Sequence, residues 1–276
     1  MEKNLIIDVG MHKAEDTDFY LSKGFNVIAI DADPNLIKSA HSIYYDRINK
    51  GQLNLQNFAI SDTDDEDVIF YVGKRTIWNS LKSEIANRDQ NYLNTITVKT
   101  KKLSSIFESF GVPYYCKIDI EGYDEIALIS LKNFVELPLF ISVETECLGE
   151  NEKYVDKSSL ATLRALNSLG YKQFKLVDQV SLNVLNNNAK FYTESNLLIY
   201  QIFNKLNVPF GNKRRLQKKH GYKFPNGATG PFGDDITGNW MSYEQAEKCL
   251  LKHRNDYFRL KRSISYGFWC DWHAKR

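Results

Sequence analysis

Two apolar runs, each closed by an acid, constrain this chain more than any other feature. Leu5-Ile6-Ile7 leads into Asp8-Val9-Gly10, and Val27-Ile28-Ala29-Ile30 leads into Asp31-Ala32-Asp33-Pro34, with Thr17-Asp18-Phe19-Tyr20-Leu21 between them. Apolar runs that are continuous rather than alternating mark strands buried on both faces, as in a parallel sheet. A buried strand, a small-residue turn, a helix and a second strand ending in an acid make a nucleoside-binding half-fold. The turn presents backbone N–H groups, and the acid accepts hydrogen bonds from a ribose diol.

The alternation continues downstream. Pro34 suits the first turn of a helix running to Tyr44, with Asp33 as its cap. Strands are expected over residues 53–58, 68–72, 95–100, 114–118 and 139–143, and helices over 103–110, 123–131 and 158–169. Residues 174–177 and 196–200 read as a last, antiparallel pair of strands. Residues 205–240, rich in Gly, Pro, Lys and Arg, read as an extended arm, and 242–252 as an amphipathic helix capped by Ser242. Short strands alternating with helices predict an α/β fold.

With 276 residues and 43% hydrophobic content, the chain suits one large domain, or one domain with an appendage. It contains no secretory core and no apolar run of about 18 residues. A cytoplasmic protein without a transmembrane segment is expected, and peripheral membrane contact stays open. Cys116, Cys147, Cys249 and Cys270 lie far apart and form no CxxC pair, which argues against a zinc knuckle or a disulfide framework. Cys116 and Cys147 fall in expected strands as small core residues. Charge is uneven: residues 201–276 hold 15 Lys+Arg against 6 Asp+Glu, and the remainder 21 against 28. Such asymmetry fits either an anionic partner or a basic tail folded onto an acidic body. No helix-turn-helix, RRM signature or zinc finger points to a specific nucleic acid.

Two cofactor classes use this half-fold. A dinucleotide needs closely spaced glycines for its pyrophosphate, but after Gly10 the later positions hold His12, Ala14 and Asp16, beside Glu15. S-adenosylmethionine carries no phosphate, and Gly10 with small neighbours leaves room for its methionine portion. Asp31 fits either ribose, so the loop decides for the methyl donor.

On these residues the chain resembles the FkbM family of S-adenosylmethionine-dependent methyltransferases. Residues 8–17 look like the family's first motif, continued by Tyr20-Leu21 and Gly24-Phe25, and Ile30-Asp31-Ala32-Asp33-Pro34 is similar to its second, where glutamate is more usual than Asp31. Lys117-Ile118-Asp119-Ile120-Glu121-Gly122 with Glu125 looks like its most recognisable signature, and Ile141-Ser142-Val143-Glu144 resembles the following strand. Gly230-Pro231-Phe232-Gly233-Asp234-Asp235 with Trp240 resembles a tail found in part of the family. Ala14 departs from the family's usual glycine, a replacement that a helical backbone would tolerate.

The resemblance implies a Rossmann-like class I methyltransferase fold: a mostly parallel seven-stranded sheet, helices on both faces, and a C-terminal extension. It implies that Asp8, Gly10, His12, Ala14 and Thr17 form the loop facing the methionine moiety. Asp31 would take the ribose hydroxyls, Ala32 would border the adenine, Ala59 and Ile60 would close over it, and Asp119 would contact the cofactor. Domain boundaries are expected at 1–202 for the cofactor-binding domain and 203–276 for a basic, aromatic-rich extension packed on the core or on a partner subunit.

Ligands of open α/β sheets lie beyond the carboxyl ends of the strands, where Asp119, Glu121 and Glu144 are expected. Asp119 and Glu121, two residues apart, share a side if the strand persists. They suit a general base for a hydroxyl acceptor, ligands of a divalent metal, or a purely positioning role. A metal ion is not required by the spacing. His12 is a further candidate base, and Trp78, Ser80 and Lys13 are candidates for the acceptor side. The expected reaction is O-methylation of a sugar hydroxyl in a surface polysaccharide or glycoside. N- or O-methylation of a small metabolite or peptide-like product, and a non-catalytic nucleotide-binding or assembly protein, are the alternatives. A homo-oligomer is compatible with either.

Overall fold

A computed structural model, describing residues 1–145, 160–260 and 268–276, places the two apolar runs in adjacent parallel strands. They are β1 (Glu2–Val9) and β2 (Asn26–Asp31), joined through α1 (Thr17–Ser22). Ile6, Ile7 and Val9 on β1 are wholly buried, with Ala29 on β2. Burying each of the larger side chains contributes about 1.5–3 kcal/mol. After β2, Asp33 accepts from the Asn35 N–H and caps α2 (Pro34–Ile43), which is followed by α3 (Tyr45–Asn49) and β3 (Leu53–Asn57).

The chain divides into two units, Met1–Val143 and Glu144–Arg276. In the first, β4 (Ala59–Ile60), β5 (Asp67–Gly73) and β6 (Tyr92–Lys101) form a small separate sheet in the order β4-β6-β5, with α4 (Ser83–Ala86) lying between β5 and β6 in sequence. After α5 (Leu103–Phe110), β7 (Pro113–Ile118) pairs with β1, and after α6 (Asp124–Ser130), β8 (Phe140–Glu144) pairs with β7. The main strands of this unit run β8-β7-β1-β2-β3, all parallel. That order is the doubly wound arrangement expected from the alternation of strands and helices.

The second unit contains α7 (Ala161–Ser168), β9 (Gln173–Asp178), β10 (Asn183–Leu185), α8 (Glu194–Lys205), α9 (Lys213–His220), α10 (Tyr243–Phe258) and β11 (Cys270–Lys275). β9 pairs antiparallel with β10 on one side and β11 on the other. Two expectations change here. Residues 196–200 are helical, because Thr193 caps α8 by accepting from the Asn196 N–H, and only Leu197 of its apolar residues is buried. A short apolar run does not distinguish a strand from a helix. Residues 205–240 are not a plain arm, since they contain α9. Within this unit β11, from the expected extension, supplies a ladder partner to β9.

Among the described residues, the first unit holds the five parallel strands β1–β3, β7 and β8 and the second the three strands β9–β11, eight where seven were expected. Cys116, Cys249 and Cys270 are buried; burial pushes the Cys116 thiol well above its ordinary range. Cys147, and part of the helix expected at 158–169, lie outside the described residues. Among the described residues no helix is long and apolar enough to cross a membrane.

Candidate active site

Strand order in the first unit reverses at β1, with β2 and β3 on one side and β7 and β8 on the other. Such a switch point leaves a crevice beyond the carboxyl ends of the strands. The turns after β1, β2 and β7 meet there. Gly10 adopts a φ of 79°, and the N–H groups of Gly10 and Met11 both donate to the Ile30 carbonyl at 2.9 Å. A Cβ on Gly10 would lie 1.8 Å from the Asp119 carbonyl oxygen, so only glycine fits. Asp119 N–H in turn donates to the Val9 carbonyl at 3.0 Å, locking the first turn to the third.

His12 and Ala14 also have positive φ, at 51° and 66°. The tolerance expected for Ala14 on a helical backbone does not apply, because the position is left-handed and its methyl group is buried. A non-glycine residue in that conformation costs roughly 1–2 kcal/mol, which is the physical reason a glycine would suit the site. Helix α1 begins only at Thr17.

Beneath the loop lies a buried ionic cluster. The Lys117 ammonium donates to the Gly10 carbonyl at 3.0 Å, pairs with Asp8 at 3.2 Å and stands 3.8 Å from Asp119. Asp8 also accepts from the Thr17 hydroxyl at 2.6 Å. Burial alone would discharge Lys117, but Asp8, Asp119 and Asp16 outweigh it and hold its pKa well above the ordinary value. Asp8 and Thr17 thus support the loop from below. The organising role of Lys117 is the main feature missed in the sequence. Its signal was a lone cation inside the apolar run Tyr115-Cys116-Lys117-Ile118.

Asp31 ends β2 with both carboxylate oxygens oriented, one accepting from His12 N–H and the other from Asp33 N–H, each at 2.8 Å. Each oxygen keeps a lone pair for a further donor. Burial raises the Asp31 pKa to about 6 against the pull of those two N–H groups. The His12 ring is held at both ends, with Nδ1 2.9 Å from Glu15 and Nε2 2.7 Å from the Thr76 hydroxyl. A carboxylate can only accept, so His12 donates from Nδ1 to Glu15. Burial opposes ionisation of Glu15, but the His12 bond and charge prevail and lower its pKa. Lys13 contributes its backbone N–H to Glu15.

β7 ends at Ile118, so strand alternation does not bring Asp119 and Glu121 together. A turn does: Glu121 has a φ of 49° and Gly122 a φ of 96°, and the two acids offer carboxylate oxygens within 4.8 Å of each other. The Asp124 carboxylate fastens this turn by accepting from Ile120 and Gly122 N–H. Burial, then the neighbouring Asp119 charge, pushes Glu121 upward despite Arg88 at 3.5 Å. Burial also raises Asp119, against the opposing pull of Lys117. Strained residues gathered at one crevice are characteristic of functional sites.

The remaining candidates are anchors. The Ser80 hydroxyl donates to the Glu121 carbonyl at 2.7 Å and accepts from Lys82 N–H. Trp78 is buried beneath Arg75, whose guanidinium carbon is 5.3 Å from the ring centroid. Ala32 and Ala59 pack in one apolar cluster with Phe70 and Val98; Ile60 is buried and pairs with Lys101. Glu144 is the buried last residue of β8, following Val143, the partner of Ile118. Thr76 and Arg88, which hold His12 and Glu121, carried no signal in the sequence.

The donor set fits S-adenosylmethionine. Asp31 is oriented to accept hydroxyl donors, and Glu15 bonded to the loop at His12 and Lys13 would stand as like charge beside a pyrophosphate.

The sequence matches the family described as the methyltransferase FkbM domain over residues 8–172. No curated protein matches it. Among solved structures it is similar to a phosphoethanolamine N-methyltransferase 2 from Haemonchus contortus in complex with S-adenosyl-L-methionine. That likeness has 9% identity and a TM-score of 0.41, over 99% of this chain and 49% of that one. A putative sarcosine dimethylglycine methyltransferase from Galdieria sulphuraria shows 9% identity and a TM-score of 0.40, over 99% and 77%. A precorrin-6y C5,15-methyltransferase from Geobacter metallireducens GS-15 shows 10% identity and a TM-score of 0.34, over 65% and 71%.

Proposed function

Because the chain belongs to the FkbM methyltransferase domain family and is an S-adenosylmethionine-dependent methyltransferase, we propose that it methylates a sugar hydroxyl of a polysaccharide or related glycoside. The observation that supports this reading is the pair Asp119 and Glu121, two neighbouring acids whose affinity for a proton is raised. A hydroxyl is a weak nucleophile and needs its proton removed as it attacks; a base with a pKa near the working pH is the most effective. An amine acceptor needs no such base once neutral. The sugar itself comes from the family resemblance.

When bound, the cofactor supplies an electrophilic methyl group on a sulfonium. The chain's own residues do the rest. Asp31 accepts the ribose hydroxyls, and the loop from Gly10 to Ala14, braced by Lys117, holds the methionine portion. Ala32, Ala59 and Ile60 border the adenine. Asp119 or Glu121 takes the acceptor's proton, with Ser80 and Asp124 positioning the turn that carries them; His12 and Glu144 are the reserve candidates. We assign the reaction to the cytoplasm, with Lys13 on the acceptor side.

The test is incubation of the purified chain with S-adenosylmethionine and a panel of sugar nucleotides and glycosides, read by mass spectrometry for one added methyl group. Methylation at oxygen, lost in Asp119→Asn and Glu121→Gln variants that still bind S-adenosylhomocysteine, is the expected result. Transfer only to amines would overturn the reading.

A further inference from the structure

Residues 195–233 contain no Asp or Glu and seven Lys or Arg. They lie within the second unit and hold α8 beyond its first residue, and all of α9. None of them enters the site described above. Helix α8 is apolar on two sides. Its inward side is filled by its own unit: Leu197 is buried, and the rings of Tyr200 and Phe203 pack on Phe210 with centroids 5.6 and 6.3 Å apart. The other side faces solvent. Leu198, Ile199, Ile202 and Leu206, the last at the C-cap, are between 43% and 68% exposed. Successive helical residues turn by about 100°, so these four share one arc about 100° wide on the side away from Leu197. Single exposed aliphatics are ordinary, but a stripe of them marks an interaction surface.

The cations follow the stripe closely in the chain. Lys205 precedes Leu206, and the Val208 N–H donates to the Phe203 carbonyl at 2.8 Å, turning the chain back onto α8. Phe210 packs there, and Arg214 and Arg215 come within five residues of it, a reach of at most about 18 Å. Lys205, Arg214, Arg215, Lys218 and Lys223 are exposed and have no carboxylate partner among the described residues. Lys219 differs, pairing with Asp235 at 2.9 Å, and Lys213 is buried.

We infer that this face docks on an anionic lipid bilayer, with the α8 stripe at the boundary of headgroups and acyl chains and the α9 cations on lipid phosphates. Insertion of apolar side chains and attraction of cations to anionic lipid are the two contributions that hold a peripheral protein on a membrane. Lys205, beside the stripe, can keep its charge among the headgroups while its stem lies on apolar surface. A nucleic acid would meet the cations but leave the aliphatics in water. A second copy would cover the stripe, but a self-pairing face brings like charges together. Protein partners are read mainly through aromatic and Arg anchors in pockets, and the stripe offers only Leu and Ile. The inference does not depend on the acceptor reading given above.

Co-sedimentation of the full chain with vesicles tests the inference. Binding is expected to phosphatidylcholine vesicles carrying about 30% phosphatidylglycerol; it should be weak on phosphatidylcholine alone and fall as salt rises from about 0.1 to about 0.5 M. Ile202→Asp should lower it about tenfold, and Arg214→Gln combined with Arg215→Gln about tenfold, as expected for one lost aliphatic anchor and two lost cations. Leu198→Ser, a milder change on the same stripe, should lower it severalfold and keeps the test open should Ile202→Asp fail to fold. S-adenosylhomocysteine binding serves as the control and should be unchanged in every variant. Absence of binding to anionic vesicles, or binding indifferent to the stripe and to Arg214 and Arg215 in folded variants, would overturn the proposal. So would a dimer in sedimentation velocity that Ile202→Asp splits, which would assign the stripe to a second copy, or capture of RNA in place of vesicles.

Discussion

Single residues at this crevice carry opposing demands that magnitudes can settle. Ala14 has a left-handed backbone and a buried methyl group. Ala14→Gly relieves roughly 1–2 kcal/mol of strain but loses about 0.8 kcal/mol of burial and adds roughly 0.5–1 kcal/mol of chain entropy cost. Urea denaturation should therefore find it within about 1 kcal/mol of the parent, and a loss above about 2 kcal/mol would refute the strain argument. Asp31 couples cofactor affinity to pH. With its pKa raised to about 6, about one molecule in ten is ionised at pH 5. Calorimetric affinity for S-adenosylhomocysteine should drop about tenfold from pH 7 to pH 5, and Asp31→Asn should flatten that dependence. Stability moves the other way. The folded state holds this proton more tightly than the unfolded chain, so the contribution of Asp31 to stability falls as pH rises from about 4 to 6.

The turn between β7, ending at Ile118, and α6, starting at Asp124, shows how a short segment places two acids. Ser80 reaches it from the strand-to-helix connection between β5 and α4, and its hydroxyl bonds the Glu121 carbonyl. Ser80→Ala should cost about 1 kcal/mol through loss of a part-buried hydrogen bond, and should lower kcat more than cofactor affinity. Equal loss of both would argue against a positioning role. The acids themselves predict a pH–rate profile. The base is the ionised form, and both carboxyls are raised by burial. At saturating cofactor, methyl transfer should thus climb from pH 5 to 8 rather than reach its plateau in the ordinary carboxylate range. They titrate as a pair, so the profile reports the pair rather than one residue. A flat profile across that interval, with chemistry rate-limiting, would remove Asp119 and Glu121 as the base.

Across the chain, the consequential feature is that the last strand is not an appendage. β11 is buried from Cys270 to Ala274 and supplies a ladder to β9, with Trp272 wholly enclosed. A chain ending at residue 202 would leave the β9 edge unpaired and its core open, an arrangement prone to edge-to-edge association. Such a truncation should give aggregated protein without native near-ultraviolet circular dichroism. A soluble, cooperatively unfolding fragment would show that the extension is dispensable.

The first half-fold was legible in the residues themselves because its signals are local. The buried runs ending in Asp8 and Asp31, the Asp33 cap with Pro34, and the single glycine of the loop each depend on neighbours within a few positions. The signature from Lys117 to Gly122 likewise marked the acids. Contacts between distant segments decided the rest. Lys117 became the brace of the Gly10 loop only because β7 pairs with β1. Asp119 and Glu121 met through a left-handed turn, where a persisting strand would have been the local expectation. The basic tail delivered β11 to β9, whereas residues 196–200 became helical through a local cap at Thr193 that a short apolar run does not reveal. Local propensity measures what a segment can adopt; burial, ladder partners and paired charge, summed over residues far apart in the chain, select which of those options is stable.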